Sequence, residues 1–423
     1  MWYTMINQEK RINPVNQKPM FHHSIKTLSC ILVLFMVLLL PDIQAQNSTS
    51  SPYTIFGIGE IEYRDFGRTT GMGSVGIGFQ SENYLNRRNP AGLSGIDTLR
   101  FILDVSAAVK LSEFRTSSRQ SRTNDFNFRN LAVGVRLSKR WASSVGLGPY
   151  SNVGYHINDE PASFSGSGGV NKFYWANAFE IFRGFSLGVT SSYIFGNIIH
   201  DENQEAISRS DKYNIDKIYF DFGAQYTYWF GDHTNITVGG VYGYETGMAL
   251  QWTKVITSNN ATELNQRMPD VKSFVPESYG AGFSILRNKK AAEWVFAADY
   301  HFKGWSVDRT SLKGMTYTDS HVYSVGLQFT PNKKRPENIF QATRYQLGAC
   351  YNQSYLKVNG AQLEDYSVSF GVGVPFRNLS YVNFAVNVGE SNTGFRGGIT
   401  ERYVLFSLNL SLIERWFAKH QWD

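Results

Sequence analysis

Two stretches of the chain match spacings that carry chemistry in enzymes. Gly71–Gly76 reads Gly-x-Gly-x-x-Gly, the spacing with which a strand–turn–helix unit binds a dinucleotide pyrophosphate. Gly184–Gly188 reads Gly-x-Ser-x-Gly, the spacing of a nucleophile elbow around Ser186. The first match has no βαβ pattern around it, and the second opens an alternating stretch with no helix after it. We therefore expect neither a dinucleotide site nor a serine nucleophile, and we predict that the protein is not an enzyme.

The sequence also contains no residue spacing that is typical of a metal or cofactor site. The cysteines are Cys30 and Cys350, too few for a disulfide framework or a multi-cysteine metal site. The histidines after residue 45 form no His-x-His or His-Glu-x-x-His pattern; they are His156, His200, His233, His301, His321 and His420. We expect no catalytic residues, no metal and no cofactor.

The first 45 residues have the order of a signal peptide. Four basic residues precede the apolar run 28–40, and Pro41–Ala45 then supplies a small residue for cleavage after Ala45. A membrane anchor is the alternative, but this run is shorter than the ~20 residues that span a bilayer. Cleavage removes four basic and two acidic residues, which lowers the net charge from +6 to +4. That modest charge is spread along the chain, so we expect export and no nucleic-acid partner.

The rest of the chain alternates large apolar residues with small or polar ones. Examples are 185–195, 219–230 and 294–302. A period of two predicts strands with one apolar and one polar face. About fourteen such runs occur, over 99–113, 126–138, 141–157, 172–182, 185–199, 216–230, 234–250, 273–286, 293–305, 319–330, 342–353, 365–375, 380–389 and 402–412.

Short and long connections follow one another between these runs. Short connections such as 138–140 and 183–184 alternate with longer ones, namely 114–125, 158–171, 200–215, 251–272, 306–318, 354–364 and 390–401. This rhythm is typical of an up-and-down barrel with short periplasmic turns and long outer loops. Aromatic residues near strand ends, namely Trp141, Trp175, Trp229 and Trp294, fit the interfacial girdles of such a barrel. A secreted sandwich or propeller is the alternative, but its strands would be shorter. We predict an all-β, transmembrane antiparallel barrel of about fourteen strands in a Gram-negative outer membrane.

Residues before and after the strand region complete the predicted organisation. Residues 46–98 are rich in glycine and do not alternate, and a barrel of fourteen strands leaves a wide lumen. We therefore predict that 46–98 forms a plug, or hatch, inside a barrel spanning 99–412. A periplasmic tail is the alternative. Residues 413–423, with Trp416 and Phe417, form a C-terminal extension beyond the last predicted strand.

The order of these features resembles a known family. Asn89-Pro90-Ala91 lies about forty residues after the expected mature start. A fourteen-stranded barrel whose N-terminal hatch carries Asn-Pro-Ala is similar to the outer-membrane transporters of long-chain fatty acids and aromatic hydrocarbons. The resemblance implies that the hatch blocks the pore. It also implies that hydrophobic ligands enter from outside and leave sideways through a gap at a kinked third strand.

The third predicted strand has the composition of a weakened wall. Pro149 cannot donate a backbone hydrogen bond to a neighbouring strand, and Gly146 and Gly148 permit a bulge. These three residues predict either a lateral opening in the wall or a bulge that merely bends the strand.

Charged residues share the lumen-side register of two strands. Asp299, His301 and Lys303 alternate on one strand, and Arg100 does so on the first strand together with Asp104 and Lys110. The fatty-acid site that the resemblance implies has basic residues near the ligand carboxylate, but no motif places those residues here. The charged residues either line a ligand path or hold the hatch by ion pairs.

Two function classes follow. The first is passive uptake of a hydrophobic, fatty-acid-like small molecule, gated by the hatch and released sideways near Pro149 into outer-membrane lipid. The second is a protein-interaction subunit of a secretion or surface-attachment complex, whose outer loops, such as 250–272, bind a protein partner at the membrane or cell surface. An apolar lumen pocket with an open wall favours the first class, whereas an unbroken wall with a filled lumen favours the second.

Overall fold

The computed structural model of the protein describes residues 49–258, 261–306, 315–377, 380–395 and 397–415. The predicted signal peptide lies outside the described residues, as do Trp416 and Phe417. The chain divides into two units, Met1–Gln44 and Ala45–Asp423, and all described residues belong to the second.

Fourteen strands form one antiparallel sheet that closes on itself. They are β1 (Arg100–Arg115), β2 (Gln120–Arg136), β3 (Trp141–Asp159), β4 (Ala162–Phe182), β5 (Phe185–Gln204), β6 (Ile207–Phe230), β7 (Thr234–Gly243 and Thr246–Ser258), β8 (Ala261–Arg267, Val271–Val275 and Ser278–Lys289), β9 (Ala292–Lys303), β10 (Met315–Tyr317 and Ser320–Thr330), β11 (Arg344–Val358), β12 (Ala361–Arg377), β13 (Ser380–Asn392) and β14 (Thr400–Arg415). Each strand pairs with the next, and β14 pairs with β1 from Thr400 opposite Arg115 to Arg415 opposite Arg100. Closure gives the first and last strands partners, which a bilayer requires because lipid offers no hydrogen bonds. The predicted fourteen-stranded barrel is confirmed.

The outer face of the barrel is apolar and carries two bands of aromatic residues. The tryptophans expected in the girdles are 37–50 % exposed on this face; they are Trp141, Trp175, Trp229 and Trp294. Tyr300, Tyr323, Tyr351 and Tyr366 form a row across β9–β12 with ring centroids 4.8–6.0 Å apart. Trp294 and Tyr300 lie six residues apart on β9, roughly 20 Å along the strand. That spacing fits the ~25 Å apolar band of a membrane barrel. No helix among the described residues is long and apolar enough to cross a membrane.

Five of the seven predicted long outer loops were wrongly predicted. Most of 114–125, 158–171, 200–215, 251–272 and 354–364 continues the strands, so the described turns there shrink to 116–119, 160–161, 205–206 and 359–360. The proposed partner loop 250–272 belongs to β7 and β8, which pair over Ala261–Arg267 and Val271–Val275. Apolar and polar residues alternate along a strand where one face meets lipid and the other meets the lumen. Beyond the bilayer this difference between the two faces is lost, although the backbone pairing continues. The last strand likewise runs to Arg415 and not to residue 412.

Residues 49–98, called the plug below, contain three short 3-10 helices and one two-residue strand. The helices are Pro52–Ile55, Thr70–Met72 and Pro90–Gly95, and the strand is Glu60–Ile61. The plug contacts inward-facing residues of β3, β5, β6, β7 and β9–β12, which lie on opposite sides of the barrel. A short helix, α1 (Ile339–Ala342), lies in the connection between β10 and β11.

Candidate functional site

The barrel wall is interrupted between β2 and β3. These strands pair only from Leu131 opposite Leu147 to Arg136 opposite Ala142, so residues 120–130 and 148–159 do not pair with one another. Both strands remain paired on their other sides, since β2 follows β1 to Gln120 and β3 follows β4 to Asp159. The interruption is therefore confined to one seam, which we call the wall break.

The sequence explains where the wall break begins. On β3, exposed Val145 and Leu147 alternate with buried neighbours, but residues 148–151 are all buried. The strand thus loses its lipid-facing side at Gly148. The ring of Pro149 offers no N–H to a neighbour, and the pairing with β4 shifts register between Pro149 and Ser151. Gly146 lies below the break, still opposite Ala132, where an added Cβ would be 2.4 Å from the Tyr174 hydroxyl oxygen.

The plug occupies the strand edge that β2 leaves. Glu60 and Ile61 pair antiparallel with Asn152 and Ser151 of β3, and the Glu62 N–H donates to the Tyr150 carbonyl oxygen at 3.0 Å. The plug reaches β2 through side chains, because the Ser50 hydroxyl donates to Asp125 Oδ1 at 2.6 Å. A lateral path through the wall break is therefore covered from inside by plug residues.

Three alternate plug residues form ion pairs with three strands, and we call Glu60, Glu62 and Arg64 the latch. Glu62 pairs with Arg129 of β2, and Arg64 pairs with Asp365 of β12 at 2.9 Å. Glu60 lies 3.9 Å from Lys110 of β1, which also pairs with Glu401 of β14 at 2.7 Å.

The latch carboxylate at Glu60 is favoured in its charged form. Burial alone would raise the pKa of Glu60, but the Lys110, Arg64 and Arg129 cations lower it below its ordinary value. The latch pair with Lys110 is therefore ionised at neutral pH.

The Asn-Pro-Ala triplet fastens the plug to β6 and β7. The Asn89 side-chain oxygen accepts from the Ala91 N–H at 3.0 Å and caps the helix Pro90–Gly95. The side-chain amide nitrogen donates to the carbonyl oxygens of Ile77 at 2.9 Å, Ala224 at 3.1 Å and Gly240 at 3.3 Å. One fully buried amide thus joins two parts of the plug to β6 and β7.

Glycines of the wall let the plug backbone approach this closely. An added Cβ at Gly188, Gly223 or Gly239 would lie 2.4, 2.1 and 2.0 Å from an atom of Ala91, Asn89 and Ile77, respectively. Such distances are closer than any real Cβ contact, so these wall positions accept only hydrogen.

Both enzyme-like spacings lie at contacts between the plug and the barrel wall. The Ser186 hydroxyl donates to the Ala91 carbonyl oxygen at 3.1 Å, so it fastens the plug. The segment Gly71–Gly76 faces the other side, where a Cβ on Gly71 would lie 2.6 Å from Gly371. Gly71, Gly73 and Gly188 of these motifs allow close backbone contact between the plug and the wall.

The predicted lumen residues have separate positions. Asp299 is buried and accepts from the N–H groups of Gly76 at 2.6 Å and Ile77 at 2.8 Å. Arg100 lies at the start of β1 and pairs with Asp97 at 2.8 Å and plug residue Glu82 at 3.2 Å. These two residues therefore contact the plug, which is the second of the roles that the sequence left open.

His301 and Lys303 line two cavities between the plug and the wall. The larger cavity has a volume of about 150 Å³ and lies behind the wall break, because Pro149, Tyr150 and Lys172 line it. The smaller one, of about 100 Å³, has an apolar side formed by Trp305, Tyr355 and Leu356. We call the larger one the cationic cavity after its basic lining residues, which are Arg64, Arg87, Arg88, Lys172 and Lys303. The apolar pocket expected from the resemblance is thus only one side of the smaller cavity.

An apolar cluster fills the lumen beyond these cavities. Ile58 of the plug packs with Val153 of β3, Ile194 and Ile198 of β5, and Met248 of β7, all of them buried. These residues belong to the strand portions that continue past the membrane band. Any ligand that enters from this end must displace part of the cluster.

Sequence reasoning missed the residues that join the plug to the wall break. Glu62 and Arg87 belong to the plug, whose sequence shows no clear alternation. Arg129 belongs to β2, and the pairing of β2 with β1 shifts register between Ser106 and Ala107 of β1. Lys172 carried a usable signal, since it interrupts an alternating strand at a lumen-facing position opposite Gly148.

Several solved structures have a similar fold, and two of those described next are named as toluene transporters. The toluene transporter TbuX from Ralstonia pickettii has 14 % identity and a TM-score of 0.60, over 84 % of this chain and 98 % of that chain. A FadL homologue from Pseudomonas aeruginosa has 12 % identity and a TM-score of 0.56, over 85 % and 100 %. The toluene transporter TodX from Pseudomonas putida has 15 % identity and a TM-score of 0.55, over 86 % and 100 %. At these identities the likeness shows a common fold.

The sequence itself matches one family model. That model is described as BamG and covers residues 25–423, which is most of the chain. No curated protein sequence matches the chain.

Proposed function

The chain belongs to the BamG family, and we propose that it is an outer-membrane channel for passive uptake of hydrophobic small molecules. In this proposal the plug closes the barrel, and the ligand leaves sideways between β2 and β3. The observation that carries the proposal is the wall break, where pairing ends at Leu131 and Leu147. In a bilayer an unpaired strand edge is costly, and here plug residues pair with the β3 edge in place of β2, which supports a wall that opens when the plug moves.

The chemistry of the two strand edges supports a lateral exit to lipid. Phe126 and Phe128 of β2 are 52 % and 48 % exposed on the outer face beside the break. Leu147 of β3, at the lower end of the break, is 37 % exposed on the same face. An apolar molecule that passes the break therefore reaches an apolar surface at once. Its partition into lipid then drives net movement without a cofactor.

The residues that cover the break support gating by the plug. The latch residue Glu62 holds β2 through Arg129, while Glu60 and Ile61 pair with the free edge of β3. Release of these contacts opens the path from the cavities to the break. The Asn89 anchor holds the plug to β6 and β7 and makes no hydrogen bond to this edge among the described residues, so in this proposal residues 49–64 move while the anchor stays bound.

The names of two proteins with a similar fold support this proposal. TbuX and TodX are named as toluene transporters, and both have the same fold as this chain. A small apolar molecule of that kind is the first substrate class to test here.

The experiment measures uptake of radiolabelled toluene and oleate by Gram-negative cells that express the chain and lack their own hydrophobic channels. Pro149→Val gives β3 back an N–H and a strand-forming side chain at the break. We expect slower uptake with normal assembly. The control is Pro375→Val, at a proline of β12 that lies opposite Tyr381, away from the break. Equal uptake by Pro149→Val and wild type, with both barrels assembled, would refute a lateral exit at this site.

A protein-interaction role is the second candidate, and the extended outer strands favour it. β5 and β6 pair continuously to Gln204 and Ile207, well past exposed Tyr193 on the lipid face. Such paired hairpins are a rigid surface outside the membrane. Co-purification of a stoichiometric protein partner, lost when 200–210 are shortened to a tight turn without loss of uptake, would support this candidate.

A further inference from the structure

We propose that the cationic cavity binds a tetrahedral oxyanion of the phosphate-monoester class. The proposal concerns the cavity alone and goes beyond the proposed function, because it holds whether or not an apolar molecule crosses the barrel.

Most charged residues around this cavity have partners of opposite charge or other firm contacts. Arg64 pairs with Asp365, and Glu62 pairs with Arg129. The charges within each of these pairs cancel, so neither pair leaves a charge for a ligand.

Arg88 and Asp65 carry opposite charges and are also held by firm contacts. Arg88 Nη1 donates to the Tyr63 carbonyl oxygen at 2.6 Å. Asp65 accepts from the hydroxyl groups of Tyr84 and Thr69. The two charges sum to zero, so these residues add no net charge to the cavity.

Three cations of the lining remain without such partners in the described part of the chain. Arg87 Nε and Nη1 are buried and have no hydrogen-bond partner there. The contacts of Lys172 and Lys303 are to ring faces, with Nζ 5.9 Å from the Tyr174 centroid and 6.0 Å from the Tyr150 centroid. Such contacts leave the N–H groups of both lysines free to donate.

One carboxylate faces these cations. Asp221 lines the same cavity, but among the described residues it forms no ion pair with Lys172 or Lys303. Three cations and one carboxylate leave two positive charges without a counter-charge. Removing charges from water without a partner is costly, so a cavity of this kind favours an anion.

The balance of charge selects the anion. A phosphate monoester carries about −1.5 to −2 at pH 7 and offers three acceptor oxygens. That charge matches the excess, whereas a single carboxylate would leave one positive charge uncompensated. The three cations belong to three different elements of the fold, the plug, β4 and β9, and line one cavity.

The position of the cavity gives the anion a route. Lys172 lies opposite Gly148, at the level where β3 leaves β2. The cavity has about 150 Å³ of space, well above the ~15 Å³ that one water requires. A lipid headgroup could enter from the membrane through the break, and free phosphate could enter through water.

The test uses the purified full-length protein and two probes, inorganic phosphate and phosphatidic acid in phosphatidylcholine nanodiscs. Affinity is measured by calorimetry for wild type and for Lys172→Met with Lys303→Met, which keeps the stem volume and removes both charges. The control is Lys212→Met, at an exposed residue of β6. We expect affinity to fall roughly tenfold for each lysine removed, since each supplies a charge-assisted hydrogen bond, and to stay unchanged in the control.

The outcomes separate the sources and the alternatives. Binding of inorganic phosphate assigns the site to a free anion, and binding of phosphatidic acid alone assigns it to a lipid headgroup; both support the proposal. Absence of binding by either probe would overturn it, and so would equal affinity in the double variant and wild type. If the double variant does not assemble, wild type still decides, because at least one probe must raise its thermal midpoint: phosphate compared with chloride at equal ionic strength, or phosphatidic acid compared with phosphatidylcholine alone. Uptake by Pro149→Val is a separate readout, so either proposal can fail alone.

Discussion

Asn89 is the residue whose replacement tests the plug most directly. Its side-chain amide donates to three carbonyl oxygens, those of Ile77, Ala224 and Gly240, and its side-chain oxygen caps the helix that begins at Pro90. Asn89→Asp preserves the shape and the capping oxygen but replaces the donor with a second acceptor. The change therefore removes the anchor and leaves the local helix its cap.

The size of the effect follows from the number of lost hydrogen bonds. Two of the three carbonyl oxygens, those of Ala224 and Gly240, belong to the wall, so at about 1 kcal/mol net for each bond the change weakens plug docking by about 2 kcal/mol, or roughly 30-fold. A carboxylate facing three carbonyl oxygens adds repulsion, so this value is a lower bound. Asn89→Ala loses the same donors and also the cap, which contributes about 1 kcal/mol more.

The assay is ion conductance of the purified barrel in planar lipid bilayers. We expect wild type to be closed and Asn89→Asp to show long open events. Acidification should reduce these events, because the introduced carboxyl group regains one donor when it is protonated. The control is Asn203→Asp, at an exposed residue of the β5–β6 hairpin.

Two results would refute this reasoning. One is a folded Asn89→Asp barrel that conducts no more than Asn203→Asp. The other is unchanged hydrogen exchange of the plug amides between residues 86 and 95. Either result would show that the plug is held mainly elsewhere.

Two further changes examine the same plug from the wall side and from the latch. Gly223→Ala places a methyl group 2.1 Å from Asn89 Oδ1, so we expect overpacking of about 1–3 kcal/mol and a more conductive barrel. Gly247→Ala is its control, because no atom lies within 4 Å of the added Cβ there; similar conductance in the two variants would contradict the docking geometry. Glu62→Gln leaves buried Arg129 without its carboxylate, which for a buried pair costs about 3–5 kcal/mol. We expect faster hydrogen exchange over 58–64 than in the exposed control Glu263→Gln, and equal exchange would show that the latch does not hold the plug.

The sequence determined the barrel because lipid and lumen differ so strongly. Every strand pointed one side chain to hydrocarbon and the next to a polar interior, so runs such as 219–230 showed their register without any neighbour. All fourteen predicted runs overlap an observed strand. Pro149 lies just past the last residue of β3 that pairs with β2, and its missing N–H is a property of the residue itself.

Only the tertiary structure decided what happens away from the lipid face. The outer strand portions have similar surroundings on both sides, so their pairing left no alternation and was mistaken for loops. The partners of Asn89, Gly223 and Asp299 lie more than a hundred residues away along the chain, as do those of the latch residue Arg64. Such contacts depend on how the plug turns inside the closed barrel, which no local pattern records. The same holds for the excess positive charge beside Lys172, because a charge is unpaired only with respect to the neighbours that folding brings to it.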